Sequence, residues 1–135
     1  MSLFDNFNVA GSAMSAQSLR LNLVASNIAN ADTISGDAKT AFRSRHPVFQ
    51  QMMQNANHSA VGVHMTGVVE SQTPISVRHE PGHPLADENG NIYSSNVNTV
   101  EQMVDMISAS RSYQGNVEVF NTSKQLLLQT LRLGE

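Results

Sequence analysis

The chain has 135 residues, enough for one domain or for one small domain with extensions. Its net charge of -3 sets up no field that would draw in nucleic acid or an anionic membrane, and the absence of cysteine excludes disulfides, thiolate zinc sites and cysteine nucleophiles. No apolar run approaches the roughly 20 residues that cross a bilayer, so no direct membrane insertion is expected, and the opening residues Met1 to Phe7 lack the basic and apolar regions of a cleaved secretory signal.

The first predicted element is a helix from about Asp5 to Asp32 or Thr33, with Gly36 as its stop. Phe7, Met14, Leu21 and Ile28 recur every seven residues, and Ala10, Val24 and Ala31 follow members of that row by three, which places them on one helical face. Between Asn6 and Ala31 the only charged side chain is Arg20, and Asn, Ser and Gln make up the remaining polar face. A face turned to water would carry Glu and Lys; an uncharged one suits packing against other protein.

Thr40 to Phe49 reads as extended chain, with a turn of helix around Met52 and Met53 and a loop from Asn55 to Ser59. Val61, Val63 and Met65 alternate with Gly62 and His64, a strand pattern expected to bulge or bend at Gly67 and resume at Val68 and Val69. Turn chemistry from Ser71 to Pro74 leads to a second alternation, Ile75, Val77 and His79, so a hairpin of these two strands is the economical expectation. Glu80 to Asn96 is rich in Pro, Gly, Asn and Asp, with a tight turn expected at Asn89-Gly90-Asn91 before Ile92 and Tyr93.

The last helix is expected to start with Asn98 or Thr99 as its cap and to reach Leu133. Met106, Tyr113, Phe120 and Leu127 repeat every seven residues, with Met103, Val117 and Leu131 alongside. The expected class is therefore α+β. Long N- and C-terminal helices (residues 1–34 and 97–135) pair as an antiparallel coiled-coil-like unit around a small β-hairpin-rich module (35–96). Helices of this length exceed what a compact domain of this size needs, and their seams are read as assembly surfaces that order fully only when subunits join.

Two clusters bear on other chemistries. His79-Glu80-Pro81-Gly82-His83 spells the H-E-x-x-H zinc-hydrolase signature, which works by placing two imidazoles on one face of a continuous helix. Pro81 and Pro84 push Glu80 and His83 toward extended geometry, so a turn is expected, with no metal site, cofactor or catalytic group. Lys39, Arg43, Arg45 and His46 form the one basic cluster, read as a solvated or protein-contacting edge since no aromatic platform for bases accompanies it.

Three stretches together resemble the bacterial flagellar rod and hook protein family. They are Ala16 to Thr33, Glu80 to Asp87 with Gly90, and Asn96-Val97-Asn98 continuing through Glu101, Met103, Met106, Ala109, Ser110, Arg111, Tyr113 and Asn116 to Gly134. Departures fall at Gly90-Asn91-Ile92, Ser95-Asn96-Val97 and the turn around Asp37 to Phe42. The resemblance implies a structural subunit, not an enzyme, that the flagellar type III apparatus exports without a cleaved signal. It then polymerises with copies of itself and with FlgB, FlgF and FlgG into a hollow torque-bearing rod across the periplasm, near the adaptor FliE. Phe49 to Met53 also fits the family's short export-gate element. Other rod-family subunits, a non-polymerising helical adaptor and a zinc hydrolase using His79 and His83 are the competing readings.

Overall fold

A computed structural model describes residues 3–52 and 61–133, which form helix α1 (Leu3–Ala29), strands β1 (Ile34–Ser35), β2 (Arg45–Met52), β3 (Gly62–Glu70), β4 (Ser76–His79) and β5 (Asn91–Ser94), and helix α2 (Thr99–Leu133). The class is α+β, two long helices with small antiparallel sheet structure between them in sequence. At about 1.5 Å per residue the helices measure roughly 40 and 52 Å.

α1 ends a turn earlier than Asp32. The Asn30 amide N–H donates to the carbonyl of Ser26, and its side-chain Nδ2 donates to the same oxygen at 2.8 Å, so the last turn closes on itself. At the other boundary Asn98 is the cap: its Oδ1 accepts from the amides of Val100 at 3.1 Å and Glu101 at 3.4 Å, two of the donors that a helix start leaves without partners.

The chain divides into two compact units. One gathers the described parts of Met1–Leu21, Pro47–Gly67 and Ile107–Glu135. Its buried side chains are small: Ala10, Ala16, Ala109 and Ser123. Phe7 of α1 packs edge to face on Phe120 of α2, with centroids 4.9 Å apart. Ser12 ties α1 to β3, its hydroxyl donating to the Val9 carbonyl and accepting from the Val63 amide. Gly62 eases that approach, since a Cβ there would stand 3.0 Å from the Ser12 Oγ, a tight contact.

The other unit comprises Asn22–His46 and Val68–Met106. It holds a three-stranded antiparallel sheet in the order β1-β5-β4, with Ile34 opposite Ser94, Val77 opposite Tyr93 and Arg78 opposite Ile92. Ile92 of β5 is wholly buried, and Val24, Ala31, Ala41, Ser44 and Ser95 of the same unit are also buried. The β4–β5 connection closes on Asp87, whose carboxylate accepts from the amides of Asn89 and Asn91 and from the Tyr93 hydroxyl. Gly90 takes φ of 75° there.

Strands β2 and β3 pair in a separate two-stranded sheet. Three local expectations change accordingly. Met52 ends a strand instead of forming a helical turn; Met53 and the expected loop at Asn55 to Ser59 lie outside the described residues. β3 runs unbroken through Gly67. The two alternating segments do not form a hairpin, because β3 pairs back to β2 while β4 pairs forward to β5. Alternation identifies strands but not their partners.

Candidate assembly surface

The helices bury small and polar side chains most deeply and leave the large apolar ones partly open. In α1 the buried positions are Ala10, Ala16, Val24 and Asn27, while Phe7, Met14, Leu21 and Ile28 are half-buried. In α2 Gln102, Ala109 and Ser123, each seven or fourteen residues apart, are buried, and Met106, Val117, Phe120 and Leu127 are half-buried. Met103, Tyr113 and Leu131, expected on the same seam, are exposed. Small residues at the centre of a helix face let a neighbouring backbone approach closely, and the large residues then flank the contact instead of filling it.

Two contacts fix the pairing, one in each unit. Phe7, near the start of α1, meets Phe120 in the C-terminal half of α2. Asn27, near the end of α1, donates from Nδ2 to the Gln102 Oε1 in the first turn of α2, at 2.8 Å. The chain order at these contacts is opposed, as an antiparallel pair requires. Asn27 makes more than one bond: Nδ2 also donates to the Arg45 carbonyl at 2.9 Å, and Oδ1 accepts from the Arg45 amide at 2.9 Å. One fully buried amide therefore ties both helices to the start of β2, with each of its polar atoms engaged.

The outward face of the first third of α2 is the unexpected part. Val100, Met103, Val104 and Ile107 follow i, i+3, i+4, i+7 spacing, which puts them together on one side of the helix, across from Gln102 and Ala109. They are 69%, 54%, 62% and 55% exposed. An amphipathic helix of a self-contained domain turns such residues inward; here the polar Gln102 is inside and the aliphatic quartet outside. Further along, Val119, Leu126, Leu128 and Leu131 are also exposed. A stripe of exposed apolar residues such as Val100 to Ile107 marks a site of protein contact.

The H-E-x-x-H letters do not form a helix. His79 ends β4 with Nδ1 3.2 Å from the Asn91 Oδ1, Glu80 pairs with Arg78 at 2.7 Å, and His83 lies in a turn where its Nδ1 accepts from the Leu85 amide. Among the described residues no three His, Asp or Glu side chains come together as a metal would require, and no helix is long and apolar enough to cross a membrane. Phe49 is an exposed residue of β2, and its expected companion Met53 is outside the described residues.

Comparison with known proteins decides the family. Residues 7–34 match the family described as Flagella basal body rod protein, and residues 88–133 match Flagellar basal body rod FlgEFG protein C-terminal. The chain is 49% identical to the flagellar basal-body rod protein FlgC of Escherichia coli O6:H1 and 47% identical to that of Salmonella typhimurium, with all of both chains covered in each case. It is 32% identical to FlgC of Borreliella burgdorferi over 98% of each chain. The chain belongs to the FlgC family of flagellar basal-body rod proteins. It is a structural subunit of the flagellar basal-body rod.

Within this FlgC-family chain the heptad rows were readable from sequence, but Val100, Val104 and Ile107 were missed. Their signal was present: with Met103 they form a complete i, i+3, i+4, i+7 set. The seven-residue row that starts at Met106 follows the side of α2 on which Phe120 meets Phe7, and Val100, Val104 and Ile107 lie off that row. Gln102 and Asn27 were also missed, since polar residues in a helix are ordinarily assigned to solvent.

Proposed function

We propose that this subunit polymerises helically through its two terminal helices, residues 1–34 and 97–135, into the proximal part of a hollow, torque-transmitting rod, with residues 35–96 as the outer module. Its neighbours would be further copies, the rod subunits FlgB, FlgF and FlgG, and FliE near the membrane ring. The flagellar type III apparatus would deliver it to a rod that crosses the periplasm. Its role is mechanical, not enzymatic. Phe7, Met14, Leu21, Val24, Ile28, Met103, Met106, Tyr113, Val117, Phe120, Leu127 and Leu131 form the assembly seam of this reading. Phe49 and Met53 are its export-gate residues.

The observation that supports it best is the inverted helix. α2 buries Gln102 and Ala109 and exposes Val100, Met103, Val104 and Ile107, a face that water disfavours and a neighbouring helix would cover. A shaft loaded in torsion is sheared at every subunit contact, and many apolar helix contacts in parallel resist shear better than one strong site.

Val104→Asp and Ile107→Asp test this cleanly because both side chains are exposed in the monomer. Each variant is expected to fold and accumulate normally yet to be absent from purified basal bodies and to leave cells non-motile. Normal swimming with either would refute the role given to this face. Leu21→Asp and Phe120→Asp are expected to abolish motility as well, with some loss of monomer stability.

A further inference from the structure

The basic cluster is the sequence feature that a helical seam leaves unused. Lys39, Arg43 and Arg45 line one side of a cleft of about 470 Å³ beside Thr40, Phe42 and Glu70, wholly within the unit that holds the three-stranded sheet. His46 turns elsewhere, its Nε2 3.4 Å from the Ser44 Oγ.

The three cations are not equivalent. Arg45 is matched: its Nη2 lies 3.3 Å from the Glu70 Oε1, and its guanidinium carbon is 5.6 Å from the centre of the Phe42 ring. Arg43 is held but not neutralised. Its Nη1 donates to the carbonyls of Ser71 and Thr73, both at 3.3 Å, which fixes where the guanidinium points and adds no negative charge. Among the described residues neither Arg43 nor Lys39 has a carboxylate partner. A half-buried, pre-oriented guanidinium beside an unmatched ammonium is a receptor for an anion, with a carboxylate as the natural fork-matching group.

We propose that this cleft receives a glutamate side chain from an adjacent copy of this chain. The proposal rests on the polymer reading above. Two unmatched cations fall short of the four to eight that mark an anionic-lipid site, and the one aromatic ring at the cleft is already occupied by Arg45, which leaves no platform for nucleic-acid bases. The chain supplies complementary charge itself. Glu88 is exposed on the β4–β5 connection and Glu118 on α2, and neither is in an ion pair among the described residues. A contact between unlike patches of identical subunits is heterologous, and such contacts propagate into helices instead of closing into dimers.

The test uses the full chain, both purified and as the sole copy in a motile strain. Lys39→Glu reverses an exposed charge that makes no side-chain hydrogen bond or ion pair among the described residues, so the variant is expected to fold. It is expected to weaken self-association, followed by sedimentation, roughly fivefold, and to reduce its dependence on salt. Glu88→Lys or Glu118→Lys, added to the Lys39→Glu chain, is expected to restore both association and incorporation into basal bodies. Unchanged association of Lys39→Glu overturns the proposal, as does failure of both compensating changes. Saturable binding of inorganic phosphate by a chain whose Lys39→Glu variant assembles normally would make the cleft a small-anion site and equally overturn it. If the unaltered chain neither associates nor enters basal bodies, the polymer reading falls; if it and Lys39→Glu assemble alike, only the cleft proposal falls.

Discussion

Phe7 and Phe120, 113 residues apart in the chain, meet with their rings 4.9 Å apart and tilted at 78°. The edge of one ring, slightly positive, lies against the negative face of the other, an arrangement worth about 0.5–1.5 kcal/mol beyond the area the rings cover. Both rings are half-buried, so each anchors α1 to α2 while keeping one side open.

Replacing either ring by alanine should lower the unfolding free energy by about 1–3 kcal/mol, less than the full-burial figure because neither residue is fully buried. In a double-mutant cycle of Phe7→Ala and Phe120→Ala, followed by denaturant unfolding, the coupling should be about 1 kcal/mol. Simple additivity would show that the contact contributes nothing specific.

Asn27 should be the most sensitive polar position. Asn27→Ala leaves the Arg45 amide, the Arg45 carbonyl and the Gln102 Oε1 without their partner in a buried place, at about 1–3 kcal/mol for each group left unsatisfied. Asn27→Asp keeps the acceptor for the Arg45 amide but sets a carboxylate against two oxygens, so it should be no better. Hydrogen exchange would report this as faster exchange in the first turns of α2 and at Arg45.

Gly90 has a backbone requirement of its own. At φ of 75° an added Cβ would come within 2.9 Å of the Pro81 Cβ and 3.0 Å of the His79 ring. Gly90→Ala therefore combines a left-handed penalty of roughly 1–2 kcal/mol with a clash, and a lowered melting temperature with altered His79 resonances is expected.

Acid should loosen the same connection. The Asn91 amide bond, helped by the Tyr93 hydroxyl and the Asn89 amide, holds the Asp87 carboxyl below its usual 3.8, against a smaller opposing effect of desolvation. A group with a depressed folded value adds stability above its unfolded value, and that stability disappears as pH falls through the folded one. The hydrogen bond to Asp87 also raises the Tyr93 phenol above 10.0, and the stability it adds is lost as pH rises through that raised value. Exchange of the Asn89 and Asn91 amides, corrected for intrinsic rates, should be slowest between these limits and accelerate below about pH 4. In Asp87→Asn the acid limb should vanish.

Much of this protein is determined locally. Seven-residue spacing, an Asn cap and an Asn-Gly turn are each decided by neighbours in the chain, so both helices, the start of α2 and the β4–β5 turn were legible as sequence. Alternation likewise located β3 and β4, whereas β5 was marked only by the turn before it. Strand partners were not legible, because alternation lets Val63 or Val77 sit in a strand next to any extended segment, and only the tertiary structure pairs β3 with β2 and β4 with β5. Nor was the inside of α2. Composition places valine and isoleucine in a core and glutamine in water, yet the tertiary structure buries Gln102 against Asn27 and leaves Val104 and Ile107 outside. The reason is a matter of satisfaction: the Asn27 amide needs an acceptor that an aliphatic side chain cannot provide, while the aliphatic face can find its cover in another subunit.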